Sequence, residues 1–316
     1  MQNFVKFILK GVCVMSEKKY TTQEIQKVAT QIRKQILGIT LKTGGCYLAQ
    51  ACSSAEVVAS LYTDIMNIGP SEAPWEAIPF PGVPGPDNMD YPKGSAYNGS
   101  ITPENDRLFV SCCHYASVIY AALSAVERIS PQWTEKFNVD GWNLEMIGAE
   151  HSPGFENTAG SLGQTISIAA GTAHVRKMRG ETGKNYVLMG DGEMQEGQTW
   201  ECIQAASYYK LDNLVLVIDA NGQQVEGAVE DQMNLEPLET RLEAFGAKAI
   251  VVDGHDVDAI LAAAKTEHPD QPLALVCRTR GTTGVPVLED RYPLLHFVRI
   301  KNDAERAAFQ KTYDNM

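Results

Sequence analysis

"NYVLMGDGEMQEGQTWECIQAASYYKLDNLVLVIDANGQQ", residues 185–224, contains two short apolar runs, at 186–189 and 214–218. Continuous apolar runs of this length, bounded by turn residues, read as strands buried on both faces. The stretch between them, from Glu196 to Lys210, has helical composition. Consecutive parallel strands joined by a right-handed helical crossover are usually neighbours in the sheet. Each run ends in a polar turn, Gly190-Asp191-Gly192 and Asp219-Ala220-Asn221-Gly222. Asp191 and Asn221 are therefore expected at one carboxyl edge, where open α/β sheets bind their ligands.

The same alternation extends outward in both directions. "DRLFVSCCHYASVIYAALSAV" predicts a strand, a turn and a helix beginning near His114. "SLGQTISIAAGTAHVRKMRG" predicts a helix ended by Gly180. Downstream, "LEPLETRLEAFG", "AKAIVVDG", "DVDAILAAAKTE" and "PLALVCRT" read as helix, strand, helix and strand. Upstream, Ile25, Val28, Ile32 and Ile36 form an amphipathic stripe over 22–43, and a second helix is expected over 53–68 with Ser53 or Ser54 as its N-cap. The predicted fold is α/β, a doubly wound and mostly parallel sheet with helices on both faces. Residues 21–316 read as one domain, interrupted at 69–101 by a segment with seven prolines. That segment is a functional lid or a surface excursion.

Composition narrows the function. The formal net charge of −12 opposes non-specific nucleic-acid binding. Seven cysteines, an odd number without a CxxC pair, indicate reduced thiols and a cytoplasmic protein rather than a disulfide framework or a zinc site. No apolar run reaches the roughly 18 residues of a membrane span. The opening "MQNFVKFILKGVCVM" lacks the length, the uninterrupted apolar core and the small-residue cleavage site of a signal peptide. Met15 reads as an alternative start, which leaves residues 1–20 as a disordered or mis-assigned leader.

A carboxylate, an amide oxygen and a nearby main-chain carbonyl are hard donors suited to Mg²⁺ or Ca²⁺. Gly190 and Gly192 allow a diphosphate to approach the backbone, and the following helix start adds N–H groups. A bridging cation would turn an acidic site into a diphosphate clamp. Gly-Asp-Gly alone is equally a common turn whose aspartate caps the next helix. Asn221 at the matching strand end favours the cation.

Gly190-Asp191-Gly192, 28 intervening residues and Asn221 resemble the cofactor motif of thiamine diphosphate enzymes. "GGCYLAQACSSAEVVASLY", "CCHYASVIYAAL", "PGFENTAGSLGQ", "GDGEMQEGQTWE", "DANGQQVEG", "VDGHDVDAI" and "GVPVLEDRYPLLHFVR" are similar to transketolase, in particular to the first subunit of transketolases split over two chains. The resemblance covers about residues 32–296. It implies that Asp191, the Asn221 side chain and the Gln223 carbonyl bind the metal, and that Gly160, Leu162, Gly190 and Gly192 meet thiamine diphosphate. It also implies that His114 stands near the diphosphate and that His296 meets substrate. Glu196 and Glu201 match glutamates that, in the family, form a carboxylate network between cofactors across a subunit interface.

The family activity passes a two-carbon ketol unit from a ketose to an aldose, with the cofactor as electron sink. Its second, pyrimidine-binding domain carries the glutamate that bonds the aminopyrimidine, and 316 residues leave no room for that domain. The implication is a separate second subunit within an α2β2 assembly. Two family histidines are missing: Cys46 or Tyr47 stands where one is usual, and Glu150 and His151 lie near the position of the other. Both belong to the face that handles sugar hydroxyls, so standard pentose phosphates are not implied. The alternatives are the α subunit of a 2-oxoacid dehydrogenase and a non-catalytic nucleotide-binding module. "AGSLGQ" and "HFVR" favour transketolase over the first, and the absence of a G-x-G-x-x-G or Walker loop disfavours the second.

Overall fold

The structure is a computed structural model and describes residues 20–225 and 227–316. The expectation for the opening leader falls, up to residue 19, outside the described residues.

Five strands form the main sheet: β1 (Arg107–Val110), β2 (Asn185–Gly190), β3 (Leu214–Ala220), β4 (Lys248–Asp253) and β5 (Leu273–Arg278). Their spatial order is β1-β2-β3-β5-β4, and each neighbouring pair is parallel. Alternate side chains along a strand point to opposite faces, and the burial follows that period. Leu188, Val215, Val217 and Leu275 enter one core. Val187, Met189, Leu216, Ile218 and Val276 enter the other.

Helices Thr22–Thr43, Leu48–Ser60, Ala116–Ala125 and Val257–Ala264 cover the first face. Helices Thr165–Met178, Gly197–Tyr208 and Leu238–Ala244 cover the second. The doubly wound α/β sheet expected from the strand–helix alternation is the observed fold.

Helix Thr22–Thr43 starts with a capping box, Thr21 with Glu24, and ends at Gly44 in the left-handed region (φ 84°). The next helix departs from expectation. It begins at Leu48, five residues before Ser53, and neither Ser53 nor Ser54 caps it. Ser54 Oγ donates back to the Gln50 carbonyl and Ser53 Oγ donates to Asp219. Every residue of Leu48–Ser60 is buried, so packing on all sides fixes this helix and overrides the capping preference of serine.

The segment 69–101 is tied down at its end. A 3₁₀ turn, Gly94–Asn98, is mostly buried, and the Asn98 amide donates to the Gly154 carbonyl and accepts from Tyr62. Between its ends it exposes Val83 and Met89.

Candidate functional site

The register of β2 and β3 pairs Gly190 with Asp219, so the two turns leave the sheet side by side. Asp191 joins them. Its Oδ2 accepts from the Gly222 amide at 2.6 Å and its Oδ1 from the Gly192 amide at 2.8 Å. The second bond is the capping role that a lone Gly-Asp-Gly would predict, and the first crosses to the neighbouring strand. The Asp191 carboxyl is pushed up to about 7, chiefly by burial, and the nearby Asp219 charge adds to the shift. Asn221 donates from Nδ2 to Asp219 Oδ2 at 3.1 Å and accepts at Oδ1 from the Gln223 amide at 2.9 Å.

These turns floor a cavity of about 420 Å³. Asp191, Asn221, Gln223, Gly190 and Gly192 all line it. A side chain at Gly190 would meet only ordinary contacts, 3.6 Å from Cys112 Sγ. Protein packing therefore does not demand glycine there, whereas a bulky ligand lying against the strand end would. Gly160 (φ 108°) and Leu162 form another wall. Their loop is held by the Gly160 amide donating to the Ser111 carbonyl and by the Gly163 amide donating to Glu193.

His114 enters from the 3₁₀ turn Cys113–Tyr115 that follows β1, and His296 from the approach to the C-terminal helix. Their rings lie 5.1 Å apart between centroids, nearly edge to face. Burial, and next the neighbouring His296, lowers the His114 imidazole to about 3. Burial also lowers His296. Two imidazoles that resist protonation offer one donor and one acceptor each. Tyr47 completes the group, 5.8 Å from His114 and 5.5 Å from His296. Of the two residues at the lost family histidine, Tyr47 reaches this cluster, while Cys46 is fully buried in the core.

Glu196 and Glu201 do not line the cavity. Both are exposed, at the start and on the outer side of helix Gly197–Tyr208. Glu201 instead borders a surface groove with His174 and Tyr209.

Two residues went unnoticed in the sequence. Asp219 is fully buried and accepts hydrogen bonds from Ser53, Tyr115, Asn221 and Thr279. Glu193 is buried and accepts from Ser111, Cys112 and Gly163, and burial raises its carboxyl. The available signal was a carboxylate at each strand end where the flanking residues are apolar; a buried charge of that kind must be paired.

The donor set fits a divalent cation with a diphosphate. Among the described residues no cluster of three or more His, Cys, Asp or Glu side chains stands ready to hold a metal. Asp191 and Asn221 supply two oxygens beside the Gln223 main chain, leaving the remaining positions for phosphate oxygens and water, the arrangement Mg²⁺ favours. A cation would also offset the repulsion between Asp191 and Asp219.

Residues 98–304 match the family model described as transketolase, thiamine diphosphate binding domain. The chain is 34% identical over 277 residues to a transketolase family protein of Sinorhizobium fredii, covering 86% of this chain and 89% of that one. It is 28% identical over 294 residues to one of the subunits of the apulose-4-phosphate transketolase of Actinobacillus succinogenes, covering 92% of this chain and 96% of that protein. A solved transketolase from Campylobacter jejuni superposes with a TM-score of 0.72 at 20% identity. That match covers 93% of this chain and 47% of the other, so it speaks to fold, and the chain spans about half of that transketolase. With its parallel sheet, the paired turns at its carboxyl edge and these matches, the chain belongs to the transketolase family as a thiamine diphosphate-binding domain.

Proposed function

We propose that this chain, over residues 21–316, is the diphosphate-binding subunit of a two-chain transketolase that moves a two-carbon ketol unit from a ketose to an aldose. The observation that carries the proposal is the pairing of Asp191 and Asn221 at the tips of adjacent strands, on the floor of a cavity walled by His114 and His296. The family match supports it, as does the near full-length match to a relative named as one subunit of a transketolase.

Thiamine diphosphate, when bound, supplies the electron sink for breaking and forming the carbon–carbon bond. Asp191, the Asn221 oxygen and the Gln223 carbonyl hold Mg²⁺, or Ca²⁺ in its place. Gly190, Gly192, Gly160 and Leu162 back the diphosphate. His114, kept neutral, hydrogen-bonds near the diphosphate, and His296, also kept neutral, exchanges hydrogen bonds with substrate at its ring nitrogens. Glu196 and Glu201, both exposed in the single chain, meet a second protomer. A partner subunit carrying the pyrimidine-binding and C-terminal domains completes the site in an α2β2 assembly. A cytoplasmic location belongs to the same proposal, supported by an odd number of cysteines without a CxxC pair. No helix among the described residues is long and apolar enough to cross a membrane.

The test is calorimetry of thiamine diphosphate binding by the reconstituted complex, with and without Mg²⁺. Uptake should require the metal, and Asp191→Ala should weaken it by more than the roughly 10–100-fold that loss of an outer-shell partner of a metal site costs. Unchanged uptake in that variant refutes the reading. Turnover by the isolated chain would refute the two-chain assignment, and a donor panel that includes branched ketose phosphates would identify the sugar.

A further inference from the structure

Gln50 stands in the first turn of helix Leu48–Ser60 and lines the cavity beside Leu295 and His296. It is 6% exposed. Its Nε2 donates to the His296 carbonyl at 3.1 Å. A carbonyl accepts only from the NH₂ side of a carboxamide, and this contact settles which corner of the side chain is oxygen. Oε1 is thereby turned elsewhere, is buried, and has no hydrogen-bond partner.

The main-chain carbonyl of Gln50 is engaged separately, accepting from the Ser53 and Ser54 hydroxyls. Backbone and amide nitrogen are both fixed, and the carboxamide oxygen alone is left over. None of the other cavity-lining side chains donates to it, although His114, His296, Gln223 and Gln224 carry N–H groups. An amide oxygen shut off from water without a partner is costly, and structures retain such groups where a ligand completes them.

We propose that Gln50 is a ligand-binding residue of this cavity, its Oε1 accepting a hydrogen bond from a neutral O–H or N–H donor of the bound ligand. The inference rests on the transketolase reading, which supplies two such donors: a hydroxyl of the transferred ketol unit and the amino group of the cofactor. The surroundings suit a neutral donor. His114 and His296 both resist protonation, so this wall discriminates by hydrogen bonding and not by charge.

The experiment uses the reconstituted complex with Gln50→Met, which nearly conserves length and volume but removes both the oxygen and the N–H bonded to the His296 carbonyl; Gln50→Ala serves as a second variant should the first fail to fold. Two readouts are taken. One is the dissociation constant of thiamine diphosphate at saturating Mg²⁺ without sugar. The other is the ratio of apparent affinities for hydroxypyruvate and pyruvate, which differ by one hydroxyl. A hydroxyl partner predicts that the preference for hydroxypyruvate falls about tenfold in the variant while cofactor binding is unchanged, the effect of losing one buried hydrogen bond. An amine partner predicts about tenfold weaker cofactor binding with the ratio unchanged. If Gln50 only anchored the His296 main chain, both acids would weaken together and the ratio would stand; that result overturns the proposal, as does no change in either readout. A wild-type complex that takes up no thiamine diphosphate fails the transketolase reading itself, a distinct outcome.

Discussion

Asp219 illustrates how much of this site depends on a residue that never faces its ligand. It ends an apolar strand and gathers donors from helix Leu48–Ser60, the turn after β1, the turn after β3 and the end of β5. Asn221 is aimed by donating to it. Asp219→Ala should therefore do two things: lower stability by about 3 kcal/mol, as removal of a buried charged hub does, and weaken Mg²⁺-dependent cofactor binding beyond what instability explains. Denaturant unfolding and calorimetry on the folded fraction separate the two, and intact cofactor affinity would contradict the role given to Asp219. Asp191 and Asn221 were legible in the sequence because each follows a buried run by one turn, and strand pairing then places them together. Asp219 and Glu193 show in the sequence only as carboxylates beside apolar runs; what each of them holds was not legible, because their hydrogen-bond partners lie far away along the chain. Tyr47 could be narrowed only to a choice with Cys46, since which of two adjacent residues faces a cavity is decided by the start of the following helix.

Between elements, a buried ion pair ties the first face of the sheet together. Glu56 on helix Leu48–Ser60 meets Arg33 on helix Thr22–Thr43 and accepts from His255 at 3.0 Å, just before helix Val257–Ala264. Burial alone would raise the Glu56 carboxyl, but the hydrogen bonds from His255 and Arg33 more than reverse this and bring it to about 2. With a folded pKa below the unfolded one, the group stabilises the fold above the ordinary carboxylate range. That stability drains as pH falls from about 4.5 toward 2. Glu56→Gln should cost about 3 kcal/mol near neutral pH, shrinking toward zero as pH approaches 2. Urea titrations of both proteins across that range would check it; a pH-independent difference would count against the ion pair. Strands and crossover helices were readable because apolar runs and amphipathic periods are local signals. The start of helix Leu48–Ser60 was misplaced because a helix buried all round has no polar face to mark it, and its serines look like caps although they bond inward.

For the whole molecule, the outer surface of helices Thr165–Met178 and Gly197–Tyr208 stands out. Ile168, Val175, Met178, Tyr208 and Tyr209 are all exposed there, beside Glu201. A chain with net charge −12 that leaves this much apolar surface on one side has a face suited to association. In the proposed assembly we expect this face to lie between like protomers. If the proposed α2β2 complex forms, Tyr209→Glu should shift it toward αβ in light scattering while the isolated chain unfolds within about 0.5 kcal/mol of wild type, as exposed substitutions do. An unshifted mass would place the interface elsewhere.

The pairing of Gly190 with Asp219 has a practical corollary for anyone reshaping this protein. Side-chain direction in a strand alternates residue by residue, so removing a single amino acid from the middle of β3 would swing the carboxylate at its end toward the opposite helical layer. Ser53 and Tyr115 would be left without their acceptor, and the asparagine beyond would lose its aim. Extra length inserted after Val225, beyond the last cavity-lining residue of that turn, would disturb none of this. Remodelling of the pocket is thus best confined to its rim, with the number of residues in β3 left untouched.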